Sequence, residues 1–279
     1  MTKFGSLFLS TIFFASVFTL SACDDGKDVQ ASAVPKVIKL GVVPGPYREI
    51  VQKYLDPIVK EKGHSIELVE FTDWIQPDSA LAAGDIDANL FQHQAYLDGI
   101  VKNQKLKLSS VVSFPTLGIY VFSDKYSSLS KDIEGSLVGI PNDPVNLARA
   151  LRVARDLKLI TLSQECDDQK ASTADIANNP YKLRFVPMEA AQLPRSLDSV
   201  GLAFVPGNYA YASKLPLDKA IGAENVLEPI KLVIAVEDKN LTTIGDFLKE
   251  AVLDPKFAKA VDLDPVFNKF SKPQWWPKN

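Results

Sequence analysis

The chain of 279 residues has only two cysteines, Cys23 and Cys166, and two histidines, His64 and His93. Two thiols cannot frame a disulfide scaffold or a thiolate zinc site, and two histidines cannot build a multi-histidine metal centre. Neither sign of charge dominates. Against 31 lysines and arginines stand 34 acidic residues, a net charge of −3, which leaves no basic surface for nucleic acid. A Gly-x-Ser-x-Gly elbow is absent, and Gly41 and Gly45 lack the remaining glycines of a phosphate-cradling loop. Neither a nucleophilic hydrolase nor a nucleotide-dependent enzyme is expected, and no cofactor is called for. There is no repeat of fixed period and no low-complexity tract. What is there is ordinary globular composition, 46% hydrophobic and 23% charged, with length enough for two modest α/β domains.

The one long apolar run, Phe4 to Leu20, follows Lys3 at the N-terminus and ends in Leu20-Ser21-Ala22-Cys23. This reads as a signal peptide over residues 1–22. Its end resembles the bacterial lipobox, in which Cys23 would become the lipidated (palmitate-bearing) first residue of the mature chain. Several acyl chains would then hold the protein on the membrane. Residues 23–35 are small, polar and proline-terminated, and read as a flexible tether. Asp24 directly after the cysteine is similar to an inner-membrane retention signal.

From residue 36 the pattern alternates. Val37 to Val43 reads as a strand. Tyr47 to Glu61 places Ile50, Val51, Tyr54, Leu55, Ile58 and Val59 on one helical face, with a kink at Pro57. Ser65 to Phe71, a helix over Gln76 to Ala83 closed by Gly84, and a strand over Ile86 to Phe91 follow. Strands at Gly118 to Ser123 and Leu137 to Ile140 lead to a helix from Pro144 to Leu157. Leu183 to Pro187 and Leu202 to Val205 flank a helix around Ala190 to Leu197. Ile230 to Val236 suits a buried strand, and Thr242 is a candidate N-cap for the next helix. The expected fold is α/β, a two-lobed periplasmic solute-binding protein of type II-like layout. Each lobe is expected to hold a mixed, mostly parallel sheet flanked by helices. The first lobe should take residues 36–120, the second 121–208, and residues 209–279 should return to the first and end the chain.

Several runs carry a family resemblance. They are Gly41 to Tyr47 (GVVPGPY), Glu70 to Pro77 (EFTDWIQP), Gly84 to Leu97 (GDIDANLFQHQAYL), and Ile140 to Pro144 continuing through Asn146 to Leu151. Glu189 to Arg195 and Asn208-Tyr209-Ala210 add support. Together they resemble the methionine-binding lipoproteins, the NlpA/MetQ family, from about Lys36 to about Val236; residues after Val252, including Trp275 and Trp276, carry no such signal. The resemblance implies a lipid-anchored substrate-binding component of an ABC importer. It would face the periplasm or outer cell surface, take methionine (L and/or D), and pass it to a permease and its ATPase. No catalysis is implied. Arg149 is then the candidate partner of the ligand carboxylate, because its planar fork donates two parallel bonds. Arg195 is the next choice. Asn146 and Asn208 are candidates for the ligand's polar end, since an amide both donates and accepts. Phe71, Trp74, Phe91, His93 and Tyr96 would wall the thioether. Val145 stands where the family usually has a hydroxyl, Gly207 precedes Asn208 where threonine is common, and Glu165 to Ala171 is unusually polar. These departures leave open another apolar amino acid or a short methionine-containing peptide as ligand. A metal-binding importer component is a separate rival reading, which chelator-insensitive ligand binding would exclude.

Overall fold

The computed structural model describes residues 33–168 and 170–278, so Cys23, the apolar leader and the tether lie outside the described residues. β1 (Val37–Val42) pairs in parallel with β2 (Ser65–Glu70), beginning Val37 to Ser65, and on its other side with β3 (Ala88–His93). The connection from β1 to β2 is α1 (Tyr47–Ile50), a π turn over Val51–Leu55, and α2 (Asp56–Glu61). The expected kink is thus a π turn. Pro57 has no N–H to offer, and the Asp56 N–H reaches back to the Val51 carbonyl. α3 (Gln76–Ala83) leads from β2 to β3 and ends on Gly84 in the left-handed region at φ +79°. β3 begins at Ala88, two residues later than its pattern indicates. α4 (Gln94–Gln104) and β4 (Leu108–Phe114) follow, neither of which stands out in the sequence.

The chain then enters a second sheet. β5 (Ile119–Phe122) precedes β6 (Leu137–Pro141) and α5 (Pro144–Asp156), and a small antiparallel pair, β7 (Thr161–Leu162) with β8 (Ile176–Asn178), lies beyond. β9 (Arg184–Met188), a 3-10 run over Ala190–Asp198, β10 (Leu202–Pro206), α6 (Gly207–Ala212) and β11 (Gly222–Ala223) complete this lobe. Pro194 inside the Ala190–Asp198 segment explains why it winds as 3-10 turns and not as the expected α-helix.

β12 (Leu232–Glu237) returns to the first sheet and inserts antiparallel between β3 and β4. α7 (Asp246–Leu253) and α8 (Pro255–Leu263) then pack on that lobe. The π turn Leu241–Gly245 replaces the cap expected at Thr242. The strand orders are β2-β1-β3-β12-β4 and β11-β5-β10-β6-β9. Each sheet is mixed and mostly parallel in strand direction: four of its five strands run the same way, and one, β12 in the first and β5 in the second, runs against both neighbours. The chain changes sheet between Phe114 and Ile119 and again between Ala223 and Leu232, not after residues 120 and 208. Gly207 to Ala223 therefore stays with the second lobe, tied by the antiparallel pairing of β11 to β5.

Each lobe has its own core. Ile38, Leu40, Ile50, Leu55, Phe114, Ile234 and Phe257 fill the first; Ile119, Val138, Ile140, Leu151 and Phe204 fill the second. A third apolar cluster of Val43, Phe91 and Tyr96, backed by Phe71, Trp74 and Val145, sits between them. The C-terminal segment belongs to the first lobe: Trp275 Nε1 donates to the Ser113 carbonyl at 2.9 Å, and Trp276 packs edge-on against Phe257. No helix among the described residues is long and apolar enough to cross a membrane.

Candidate functional site

The cleft side of the second lobe is organised by the start of α5. Asp143 caps it, accepting from the Asn146 N–H at 2.9 Å, and Pro144 occupies the first turn. Asn146 and Arg149 then fall one turn apart on the same face, 3% and 4% exposed. From the first lobe comes His93, the last residue of β3 and the N-cap of α4. Its Nδ1 accepts from the Tyr96 N–H at 3.1 Å. The ring proton therefore sits on Nε2, which donates to Asn146 Oδ1 at 3.2 Å across the cleft. Burial, helped by the Arg149 charge, pushes the His93 pKa down to about 3, so the ring is neutral at physiological pH.

Arg149 is held by a residue that no sequence pattern singles out. Its Nε donates to Glu224 Oε1 at 2.8 Å and its Nη2 to Oε2 at 2.6 Å, while Oε2 also accepts from the Ile119 N–H at 2.9 Å. The two side chains are 5% and 8% exposed, a buried bidentate pair. Nη1 leans on Asn146 Oδ1 at 3.4 Å. The fork expected to grip a ligand is thus spent on Glu224. One N–H each on Nη1 and Nη2 remains, an end-on edge that still fits a carboxylate. Asn146 is spent as well: its oxygen serves His93 and Arg149, and its Nδ2 donates to both oxygens of Asp143. It positions the arginine and the histidine.

These residues line a cavity whose open space, mouth included, is about 430 Å³. Of the candidate ligand-binding residues, Arg149, Asn146, Asn208, His93, Tyr96, Phe91 and Trp74 all line it. Phe71 does not. It packs behind Trp74 and Phe91 as support. Arg195 is exposed on the 3-10 run, away from the cavity. Tyr47, Gln92, Leu117, Pro206, Gly207 and Leu232 complete the lining and were not singled out beforehand. Gln92 and Gly207 stand beside residues that were, so adjacency along the chain was the available signal; Leu232 and Glu224 offer none.

The lobes touch around the cavity. Trp74 stacks on Tyr209 with centroids 5.1 Å apart, Asn208 Nδ2 donates to the Pro44 carbonyl at 3.2 Å, and Tyr211 donates to Glu49 at 2.6 Å. Tyr47, its hydroxyl pKa raised by burial, accepts from the Leu117 N–H at 3.2 Å where the chain first crosses. Among the described residues no cluster of three or more His, Cys, Asp or Glu could hold a metal ion.

Two sheets joined by two crossings, with a buried cavity between them, define a two-lobed solute-binding protein. Residues 38–275 match the NlpA lipoprotein family, and the chain belongs to that family. The match extends well past Val236, so the C-terminal segment with Trp275 is part of the family's fold after all. The chain is similar to the D-methionine-binding lipoprotein MetQ of Salmonella typhi, 38% identical over 244 residues, 85% of this chain and 86% of the relative. It is also similar to outer membrane lipoprotein 3 of Mannheimia haemolytica, 35% identical over 90% of this chain and 89% of the relative. Among solved structures it resembles a nutrient-binding protein from Burkholderia cenocepacia bound to methionine. That likeness has a TM-score of 0.76 at 38% identity, covering 81% of this chain and 95% of the other.

Proposed function

We propose that this protein is the lipid-anchored, extracytoplasmic binding component of an ABC importer, capturing methionine and delivering it to the permease. The observation that carries the reading is the end-on edge of Arg149 at an aromatic-walled cavity between two lobes. A free amino acid needs a cationic donor for its carboxylate and an apolar wall for its side chain. A flexible, polarisable thioether is well served by ring contacts such as those of Phe91, Tyr96 and Trp74. The family membership and the methionine named for its relatives support the same ligand. A binding role, without catalysis, follows from what these relatives are named for.

The binding sequence follows from the geometry. Arg149 and Glu224 move with the second lobe; His93, Tyr96 and Trp74 move with the first. A ligand held on the arginine while its side chain enters the aromatic wall joins both lobes. It thereby favours the closed arrangement that His93–Asn146 and Trp74–Tyr209 already make. Cys23 supplies the anchor, and the permease with its ATPase takes the cargo. Denaturing the purified soluble body and identifying the released small molecule by mass spectrometry tests the ligand. Calorimetry with L-methionine, D-methionine, leucine and a methionine-containing dipeptide extends the test. Leucine or the dipeptide binding while methionine does not would replace the ligand named here. Intact mass of the membrane-extracted protein should begin at Cys23 with added acyl mass.

A further inference from the structure

Behind the cavity, between α3 and β3, lies a polar group that the carboxylate site does not use. Asp78, Asn89 and Gln92 are all buried. Asp78 Oδ1 accepts from Asn89 Nδ2 at 2.9 Å and from Gln92 Nε2 at 2.5 Å. Gln92 Nε2 also leans on Asn89 Oδ1 at 3.3 Å. A carboxylate accepts only, so both amides must turn their nitrogens toward Asp78. Gln92 is thereby left with Oε1 facing away from Asp78, and that oxygen is buried without a hydrogen-bond partner. Gln92 lines the cavity. Such an orphaned acceptor is costly unless something donates to it.

The charge balance of the cavity indicates the donor. The nearest carboxylate to the carboxylate site, Glu224, is consumed by Arg149. A zwitterionic ligand would also bring an ammonium, which donates three bonds. Of the buried orphaned atoms on cavity-lining residues, Trp74 Nε1 is itself a donor and Gln92 Oε1 is the acceptor. Asp78 has two amides and no cation among its partners, so its negative charge lies uncompensated directly behind Gln92. From this juxtaposition we infer that Gln92, oriented by Asp78, accepts a hydrogen bond from the ligand's ammonium and makes the site selective for an α-amino acid over the corresponding acid. The inference rests on the amino-acid reading of the same cavity. Asn208, half-buried at the cavity with its Nδ2 given to Pro44, offers its Oδ1 as a second acceptor.

The test pairs two probes with two variants. L-methionine and its desamino analogue, (methylsulfanyl)butanoate, are titrated by calorimetry into wild type, Gln92→Leu and Asp78→Asn. Wild type should prefer methionine, and Gln92→Leu should weaken methionine roughly tenfold to a hundredfold while leaving the analogue unchanged. Asp78→Asn is the positioning control. Its own amide can donate to Gln92 Oε1 and turn the glutamine round, so methionine should weaken and the analogue should not. It remains readable if Gln92→Leu fails to fold. Equal binding of both probes by wild type overturns the inference, as does equal weakening of both probes in both variants or no weakening in either. Wild type that binds neither probe defeats the amino-acid reading itself, a different result.

Discussion

Removing the Arg149 side chain takes away a ligand donor and one member of a buried ion pair together. Loss of the donor should weaken methionine binding by about 2–5 kcal/mol. The uncompensated Glu224 adds a stability cost that an arginine on an open cleft wall would not carry, roughly 3–5 kcal/mol. Arg149→Ala should therefore lower both affinity and the urea midpoint, and wild-type affinity in that variant would remove Arg149 from the site. Arg149→Lys should recover little, since an ammonium cannot hold Glu224 with two bonds and still present an edge to the ligand. Asn208→Ala should cost less in affinity than Arg149→Ala, with little change in stability, because Asn208 is half-buried and shares its work. His93 gives a prediction in pH. Its folded pKa lies near 3, below the ordinary histidine value, so between about pH 6.5 and 3 the unfolded chain holds a proton that the folded chain refuses. Stability from this group is present above that window and is lost on acidification, at up to about 1.4 kcal/mol per pH unit. Asp78, raised by burial to about 6, acts oppositely between about pH 4 and 6, where the folded chain keeps the proton. His93→Gln should thus flatten or reverse the acid limb of the denaturation profile; an unchanged slope would mean that His93 titrates normally.

At the scale of elements, the site depends on two joints and on one close approach. Asp143 and Pro144 set the start of α5 so that Asn146 and Arg149 share a face, and His93 caps α4 while reaching the cavity. Both joints were readable in part: Asp-Pro ahead of an amphipathic run marks a helix start from local chemistry alone. α4 and β4 were not, because residues 94–114 mix small, polar and charged residues and β4 is buried on alternate sides by partners far along the chain. At the head of α6, Gly207 is buried where the chain passes Leu117 and Gly118. An added Cβ would lie 2.3 Å from Leu117 Cβ and 2.8 Å from the Gly118 carbonyl. Gly207→Ala should force these segments apart, cost about 1–3 kcal/mol of stability, and displace Asn208 enough to weaken binding. Denaturation and calorimetry on that one variant check both effects. The glycine that looked like a departure from family habit has a steric reason in this chain.

Across the whole molecule, the C-terminal segment straps the crossings between the lobes. Ser271 exchanges backbone bonds with Thr116 at 2.9 and 3.0 Å, and Thr116 Oγ1 accepts from the Leu232 N–H. Buried Lys231, its pKa lowered by desolvation, donates to Ser271 Oγ and to the Val226 carbonyl. Both the 115–118 crossing and the 224–231 crossing are thus tied to one tail. Truncation after Phe270 should lower thermal stability and loosen lobe closure, seen as faster amide exchange in the two crossing segments. Unchanged exchange there would confine the tail to a packing role. Methionine at about a hundred times its dissociation constant should raise the stability of the intact soluble body by roughly 2.7 kcal/mol, measured by denaturant titration.

The identity of the lobes, the aromatic wall and the presence of Arg149 near a helix start were legible in the sequence. Strand periodicity, helix capping and a short motif depend on residues that are neighbours along the chain. The partner of Arg149 was not legible. Glu224 lies 75 residues away on a segment with no periodic signal, and only the antiparallel placement of β11 against β5 brings it beside α5. The orientation of Gln92 was equally hidden, since it depends on Asp78 from another element turning an amide by its charge. Local order is encoded in local spacing. Which buried charges meet, and so which edge of the arginine stays free for a ligand, depends on contacts made only when distant strands pair.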